Sequence, residues 1–262
     1  MSETPGLLRD AAVQMAREAG AIVREGWGRA HRPERKGRID LVTEYDRRSE
    51  ALLLERIAQR WPDHAVLAEE SGTHRGGNRR VRWLIDPLDG TTNFAHNYPF
   101  FAVSVGVEIE GVPAAAAVYD PTRDEMFAAA RGEGATLNGT PIRVSDIERV
   151  ESALLVTGFP YDVREHPERS LPHFQAMLQR AQGVRRDGSA ALNQCYVACG
   201  RFDGFFESSL SPWDMGAGVL LVREAGGTVT RYDGSPFEVE GKQILATNGR
   251  IHGEMQEILK RT

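Results

Sequence analysis

The sequence "WLIDPLDGTTNF", from Trp83 to Phe94, follows an apolar run with two aspartates. Asp86 and Asp89 stand close together with Pro87 between them. Aspartate is a poor strand former and like charges at this distance repel, so the fold must have a use for negative charge here. The residues after Asp89 are typical of a helix start, where Asp89 or a threonine would cap the helix and Gly90 would let the backbone approach a ligand.

Three further acidic positions share the same sequence context. Glu69 and Glu70 follow a predicted strand in "VLAEES", and Asp214 opens a predicted helix in "SPWDMGAG". Because layered folds build their sites at strand ends and helix starts, we expect these carboxylates to meet Asp86 and Asp89. The cluster would be strongly repulsive unless a cation neutralised it.

The residue types indicate which cation this would be. Oxygen ligands without cysteine or paired histidine favour Mg²⁺, Mn²⁺ or Ca²⁺ over Zn²⁺. Free N–H groups at a helix start attract phosphate. Two cations beside such amides can activate a water and neutralise a leaving oxygen, which indicates a phosphoester site. Spacing alone leaves a second interpretation open, in which "DPLDG" is an ordinary turn and the other acids are solvent-exposed or stabilise a helix start.

The composition excludes several classes of protein. The 262 residues carry a net charge of −5, which gives no basic footprint for nucleic acid. We expect no signal peptide at the N-terminus, and the most apolar stretch, "VPAAAAVY", is too short to cross a bilayer. Cys195 and Cys199 are read as reduced helix residues of a cytoplasmic protein.

The pattern along the chain predicts a layered α/β (α+β) fold. Two amphipathic helices, near residues 5–28 and 46–61, flank a polar loop, and short strands "HAVLAEES" and "VRWLID" follow. Apolar runs divided by turn residues then predict an antiparallel meander. The second half alternates strands and helices, so we expect two subdomains, residues 1–145 and 146–262, that form one catalytic unit.

With these motifs in view, the chain resembles the inositol monophosphatase family of Mg²⁺-dependent, lithium-sensitive phosphatases, nearly end to end. The segments "AEES" (68–71), "IDPLDGTTNF" (85–94) and "PWDMGAGVLLVREAGG" (212–227) are similar to its motifs, in the expected order. The resemblance implies an αβαβα sandwich. It also implies a homodimer.

The resemblance implies a role for each matching residue. Glu69, Asp86 and the Leu88 carbonyl would hold one Mg²⁺, and Asp86, Asp89 and Asp214 a second; a third, looser ion would also use Glu69, and Mn²⁺ is the alternative metal. The remaining implied roles are water activation by Glu69 and Thr91, phosphate binding by Gly90 and Thr91, substrate hydroxyl binding by Glu207 with the backbone at Gly188 and Ala190, and supporting positions at Lys36, Asp46 and Glu70.

The implied reaction is hydrolysis of a small polyol phosphate, first of all inositol 1-phosphate. Histidinol phosphate, fructose-1,6-bisphosphate and other sugar phosphates are alternatives within the same fold. Asp187 and "GFPYD" (158–162) depart from the expected pattern near the substrate rim. A different class of function is also open, since some bacterial relatives look like partners of the transcription machinery.

Overall fold

The computed structural model describes residues 3–29, 33–35, 37, 41–74, 76 and 78–261. Its α-helices are α1 (Pro5–Gly26), α2 (Glu44–Arg60), α3 (Thr91–Ala95), α4 (Leu171–Leu178), α5 (Ala190–Ala198), α6 (Pro212–Glu224) and α7 (His252–Lys260). Its strands are β1 (Glu34–Arg35), β2 (Leu41–Val42), β3 (His64–Ala68), β4 (Gly72–His74), β5 (Asn78–Asp89), β6 (Ala102–Ile109), β7 (Val112–Asp120), β8 (Glu125–Ala130), β9 (Gly134–Leu137), β10 (Thr140–Pro141), β11 (Leu154–Thr157), β12 (Gly183–Arg185), β13 (Gly204–Ser208), β14 (Thr228–Thr230) and β15 (Gln243–Thr247).

The elements stack in five layers. Helices α1 and α2 pack on one face of an eight-stranded sheet of order β10-β9-β8-β7-β6-β5-β3-β4. Helices α5 and α6 lie between this sheet and a five-stranded sheet of order β12-β11-β13-β15-β14, and α4 and α7 cover the outer side. This arrangement confirms the predicted αβαβα sandwich.

Strand β5 lies in the middle of the larger sheet and leads into the acidic motif. Trp83, Leu84 and Ile85 are fully buried on it, since helices cover both faces. The strand was predicted to end at Asp86, but it continues to Asp89. Its pairing with β6 shifts register between these two aspartates, and such an irregularity accommodates a proline that cannot donate to the ladder.

Most strands of the larger sheet form the predicted antiparallel meander, β6 to β9. Two places depart from antiparallel pairing: β3 runs parallel to β5, and in the smaller sheet β11 runs parallel to both β12 and β13. The carboxyl ends of parallel neighbours lie at the same sheet edge. Residues that follow these strands are therefore brought close together.

The core does not divide at residue 145. One buried cluster joins Phe100 and Val118 of the first half to Val156, Leu192 and Leu220 of the second. The division of the chain into two subdomains near residue 145 stays a prediction. Both cysteines are free, as predicted. In the part of the chain that the structure describes, no helix is long and apolar enough to cross a membrane.

Helix α6 approaches strand β6 closely at Gly106. A Cβ atom on Gly106 would lie 2.8 Å from the backbone nitrogen of Ala217 and 2.8 Å from the carbonyl carbon of Gly216. Neither atom can move without moving the helix. Because α6 also carries Asp214, this contact fixes one acidic residue against the sheet that carries the others.

We predict that Gly106→Ala destabilises the protein by about 1–3 kcal/mol through overpacking. The measurement is denaturant unfolding of the variant beside wild type. Gly253→Ala is the matched control, because a Cβ there meets nothing within 4 Å and the residue lies in α7. The control should be neutral or slightly stabilising; equal losses in the two variants would contradict the packing argument.

Candidate active site

A cavity of about 740 Å³ opens between the two sheets. Every residue that the sequence assigned to metal, water, phosphate or substrate binding lines it, namely Glu69, Asp86, Leu88, Asp89, Gly90, Thr91, Gly188, Ala190, Glu207 and Asp214. Of the supporting positions, Asp46 and Glu70 lie behind the cavity wall, and Lys36 lies outside the described residues. The structure thus brings together side chains that are far apart in sequence.

The acidic end of the cavity forms where β3 and β5 finish side by side. Ala68 pairs with Ile85 in the parallel register, and the Glu69 amide donates to the Ile85 carbonyl at 3.2 Å. Glu69 and Asp86 are therefore neighbours because they follow paired residues. Asp214 approaches from the first turn of α6.

Burial and mutual repulsion both act on these carboxylates. Burial raises the pKa of Asp86 well above its usual range, and the nearby charges of Glu69, Asp89 and Asp214 raise it further. Burial is likewise the largest cause of the raised pKa of Asp214, and the nearby charge of Asp89 is the second cause. Burial also raises the pKa of Asp89. The site therefore resists holding all of its negative charge without a counterion.

These pKa values have a consequence for stability. A carboxyl whose pKa is raised on folding stabilises the folded state below its ordinary pKa, and this contribution is lost as the pH rises through the raised value. Burial raises the pKa of Glu207 from 4.5 to about 8. Its contribution to stability is therefore lost as the pH rises through the neutral range. Without a bound cation the folded site works against stability at neutral pH.

Asp89 links the end of β5 to the start of α5. Its Oδ2 atom accepts from the Ser189 hydroxyl at 2.6 Å and from the Ala191 amide at 2.7 Å. Its Oδ1 atom accepts from the Ala190 amide at 3.3 Å. These donors belong to the first turn of α5, whose positive end favours a carboxylate. The assignment of the Ala190 backbone to substrate binding stays a prediction.

Asp214 is held by its own helix. Its Oδ2 atom accepts from the Ser211 amide at 2.7 Å. This hydrogen bond is one half of a capping box at the start of α6, in which the Ser211 side chain in turn accepts from the Asp214 amide. The Asp214 carbonyl accepts from Gln194 of α5 at 2.8 Å, so the two middle helices are tied together beside the cavity. The sequence assigned Asp214 to metal binding, and the structure adds this capping role.

Gly90 and Thr91, which follow Asp89 in the acidic motif, lie at the start of α3. Gly90 is the N-cap residue with a φ of 96°, and no side chain caps the helix, so the prediction that Asp89 or a threonine does so is wrong. A Cβ atom on Gly90 would lie 3.1 Å from the Phe100 carbonyl and 3.3 Å from the Gly188 carbonyl. Both its conformation and its surroundings therefore require glycine.

Thr91 is positioned by Asp46, the buried third residue of α2. The Thr91 hydroxyl lies 2.9 Å from Asp46 Oδ1 and 3.1 Å from the Leu88 carbonyl. Asp46 Oδ2 accepts from the Thr43 amide at 2.8 Å as part of the helix cap. Because both neighbours of the Thr91 hydroxyl accept hydrogen bonds, its single proton is directed to one of them.

Helix α2 supports the site at two more points that the sequence analysis missed. The Ser49 hydroxyl donates to the Pro87 carbonyl at 2.8 Å, and Glu50 accepts from the Glu70 amide at 2.8 Å. Ser49 and Glu50 are three and four residues after Asp46, so all three share one helix face. Their burial is the signal that sequence could not supply, since polar residues at this spacing usually face solvent.

Asn93 is another bridge that the sequence did not reveal. Its amide nitrogen lies 2.7 Å from the Phe100 carbonyl and 2.7 Å from the Asp187 carbonyl. It thereby links α3 to the loop that leads into α5. The Asp187 side chain, which departs from the expected pattern, is half-buried, and burial raises its pKa while Arg185, Arg123 and Arg186 oppose that effect.

The donor set fits a hard divalent cation. No described lysine or arginine forms an ion pair with Asp86, Asp89 or Asp214, and every candidate ligand is an oxygen. Among the described residues, no three acidic, histidine or cysteine side chains already converge as a finished coordination shell. Asp89 and Asp214 instead accept hydrogen bonds from backbone and hydroxyl donors.

The comparisons with known proteins agree with the site. The model of the inositol monophosphatase family matches residues 7–261. Inositol-1-monophosphatase from Synechocystis sp. is 49% identical over 252 residues, which cover 96% of this chain and 88% of that protein. Nus factor SuhB from Escherichia coli strain K12 is 41% identical over 260 residues, which cover 95% and 97%.

Solved structures give the same result. The structure of inositol monophosphatase from Anabaena (Nostoc) sp. superposes with a TM-score of 0.89 at 46% identity, and the match covers 98% of this chain and 96% of that one. The family is one of generally metal-dependent phosphatases that act on small phosphate substrates. On the family match, these relatives and the shared fold together, the chain belongs to the inositol monophosphatase family of phosphatases.

Proposed function

We propose that this protein is a Mg²⁺-dependent phosphomonoesterase whose substrate is inositol 1-phosphate. The observation that carries the proposal is the meeting of Glu69, Asp86, Asp89 and Asp214 in one buried cavity with Glu207. Repelling carboxylates at one end would hold metal, and a carboxylate beyond them would accept from substrate hydroxyls. Lithium inhibition and a homodimeric state are further predictions from the family resemblance. A cytoplasmic location and use of Mn²⁺ are predictions from the composition and from the oxygen ligands.

The metal ligands would be Glu69, Asp86, Asp89, Asp214 and the Leu88 carbonyl. The bound ions would supply Lewis acidity to the phosphate and would lower the pKa of a water. The charges of Glu69, Asp89 and Asp214 all act on Asp86, and this carboxylate would be shared by two ions. The hydrogen bonds that Asp89 and Asp214 receive from α5 and Ser211 would hold these ligands in place.

The residues around Thr91 would orient the attacking water. Since the Thr91 proton is directed to Asp46 or to the Leu88 carbonyl, its oxygen can only accept a hydrogen bond from a water in the cavity. Glu69 would accept the second proton of that water. The water would then have its lone pairs free for phosphorus, while the Gly90 and Thr91 amides would hold the phosphate oxygens.

We predict that removing the metal abolishes phosphate release and that Mg²⁺ restores it. The measurement is phosphate release from inositol 1-phosphate, glycerol 2-phosphate, histidinol phosphate and fructose-1,6-bisphosphate, each with Mg²⁺ or chelator. Release led by inositol 1-phosphate supports the whole proposal, and another leading substrate replaces only the substrate. No release from any of them, by folded protein that binds Mg²⁺, contradicts the phosphatase assignment for these esters.

We predict that Asp86→Asn lowers kcat/KM by more than about a hundredfold, because even outer-shell partners of a metal cost 10–100-fold. Asp86 accepts a hydrogen bond from the Leu88 amide at 3.0 Å, which the Oδ1 atom of asparagine can also accept, so the fold should survive. Loss of a repelling charge should leave the melting temperature in chelator unchanged or higher. The increase in melting temperature that Mg²⁺ gives to wild type should shrink; an undiminished increase would rule out Asp86 as a ligand.

The same variant addresses a second candidate function. Relatives named Nus factor SuhB match nearly the full chain, which favours a role as a partner of transcription proteins. Such a role would not need the metal ligands. Recovery of transcription proteins by Asp86→Asn as well as by wild type would support it, and recovery by neither protein would count against it.

We predict that, above pH 8 where Glu207 is ionised, Glu207→Gln raises KM for inositol 1-phosphate by about tenfold, since a charge-assisted hydrogen bond is replaced by a weaker one. Glu207 is buried at the end of β13, and Arg186 and Asp89 affect its pKa in opposite directions. The control substrate is p-nitrophenyl phosphate, which offers no hydroxyls. An equal change in KM for both substrates would contradict a role in hydroxyl recognition.

A further inference from the structure

The far end of the cavity is the part of its wall that the smaller sheet and its loops supply. Thr157 of β11 pairs with Phe206 of β13 in parallel register. The next residues along the two strands are Gly158 and Glu207, and both line the cavity. They are neighbours because each follows one member of a pair in adjacent parallel strands, which is also how the acidic end forms.

Gly158 leaves the space that the Glu207 carboxyl group occupies. A Cβ atom on Gly158 would come within 3.0 Å of three atoms, and all three belong to that carboxyl group: Oε1, Oε2 and Cδ. Real Cβ atoms do not approach other atoms so closely. The φ angle of Gly158 is not positive, so glycine is required here for space and not for backbone conformation.

The Glu207 carboxyl group has its acceptor positions available to a ligand. The residue is only 8% exposed. Among the hydrogen bonds that join described residues, none reaches its carboxyl oxygens, although the charges of Arg186 and Asp89 act on it. A buried carboxylate favours a partner that donates hydrogen bonds. Under the proposed function, the substrate hydroxyls are that partner, and the contact with Gly158 determines where they meet it.

A side chain at position 158 would displace Glu207 and leave the backbone in place. The obstructing atoms are the end of a long side chain, which can change rotamer. The situation at Gly106 is different, because the obstructing atoms there belong to a helix backbone. Substitution of Gly158 should therefore change the position of the carboxyl group more than the stability of the fold.

We propose that Gly158 is a positioning residue for substrate recognition, and that it acts by fixing the Glu207 carboxyl group where the substrate hydroxyls bind. This inference rests on the proposed function and deepens it, because it makes the residue type at position 158 a determinant of polyol specificity. Gly158 contacts no reacting atom. The acidic end of the cavity is unaffected by a change at this position.

The test compares Gly158→Ala with Gly6→Ala. A Cβ atom on Gly6 would also displace a glutamate carboxyl group, since it would lie 2.8 Å from Glu133 Oε1, but neither of these residues lines the cavity. kcat and KM are measured with Mg²⁺ above pH 8, where Glu207 is ionised, for inositol 1-phosphate and p-nitrophenyl phosphate. Denaturant unfolding confirms that each variant is folded.

For Gly158→Ala we expect KM for inositol 1-phosphate to rise about tenfold, with kcat little changed, because the hydrogen bonds to the substrate are misplaced. KM for p-nitrophenyl phosphate, which offers no hydroxyls, should stay the same. Gly6→Ala should leave both KM values unchanged. An unchanged KM for inositol 1-phosphate in Gly158→Ala, or an equal rise for both substrates, overturns the proposal.

The double variant Gly158→Ala/Glu207→Gln separates an effect through Glu207 from a direct clash with the substrate. If Gly158 acts by placing Glu207, the double variant should raise KM no further than the larger of the two single effects. Multiplication of the two single effects would mean that position 158 acts on its own, and it would overturn the proposal.

Calorimetric titration of myo-inositol into Mg²⁺-loaded protein gives a readout that does not depend on turnover. Gly158→Ala should bind inositol about tenfold more weakly than wild type, and Gly6→Ala should bind it equally well. Equal affinity in Gly158→Ala and wild type overturns the proposal. Failure of wild type to release phosphate from any ester would instead refute the phosphatase function, and the titration alone would then decide the role of Gly158.

Discussion

Repulsion between buried carboxylates is the constraint on which the rest of the structure depends. Asp86, Asp89 and Asp214 lie within one low-dielectric cavity, and each would be more stable with a proton or a cation than alone. The fold reduces this cost by giving two of them a structural use. Asp89 accepts from the first turn of α5 and Asp214 closes the cap of α6, so the middle helices are stabilised by the charges that repel each other. These hydrogen bonds offset part of the repulsion within the site.

Precise placement of these charges comes from helix α2. Asp46, Ser49 and Glu50 contact three separate segments beside the cavity, at Thr91, the Pro87 carbonyl and the Glu70 amide. One rigid helix thus sets the relative positions of segments that leave two different strand ends. This arrangement suits a site in which misplacement of about 1 Å can cost a hundredfold in rate. Loops on their own would not provide that rigidity.

The sequence allowed the layers, the meander and the carboxylate motifs to be predicted, because each depends on local periodicity or on a short specific pattern. It did not reveal Ser49, Glu50 or Asn93, whose partners are distant in sequence and whose types are common on helix surfaces. The sequence pattern also predicted the end of β5 too early, at Asp86, because proline and aspartate disfavour strands locally. Pairing with β6 through a register shift overrides that preference, and only the tertiary structure supplies it.

The cavity has two ends that are built in different ways. The acidic end is fixed by α2, α5 and α6, since Asp46 of α2 contacts Thr91, the start of α5 donates to Asp89, and Asp214 caps the start of α6. The far end consists of loops after β11 and β12, which are held mainly by turns such as Val163 to Pro160 and by the Asn93 bridge. Substitutions in those loops can change charge and shape without disturbing the acidic end. Under the proposed function, such changes would alter selectivity among phosphate esters and leave the hydrolytic chemistry intact, because the two ends are supported by separate sets of contacts.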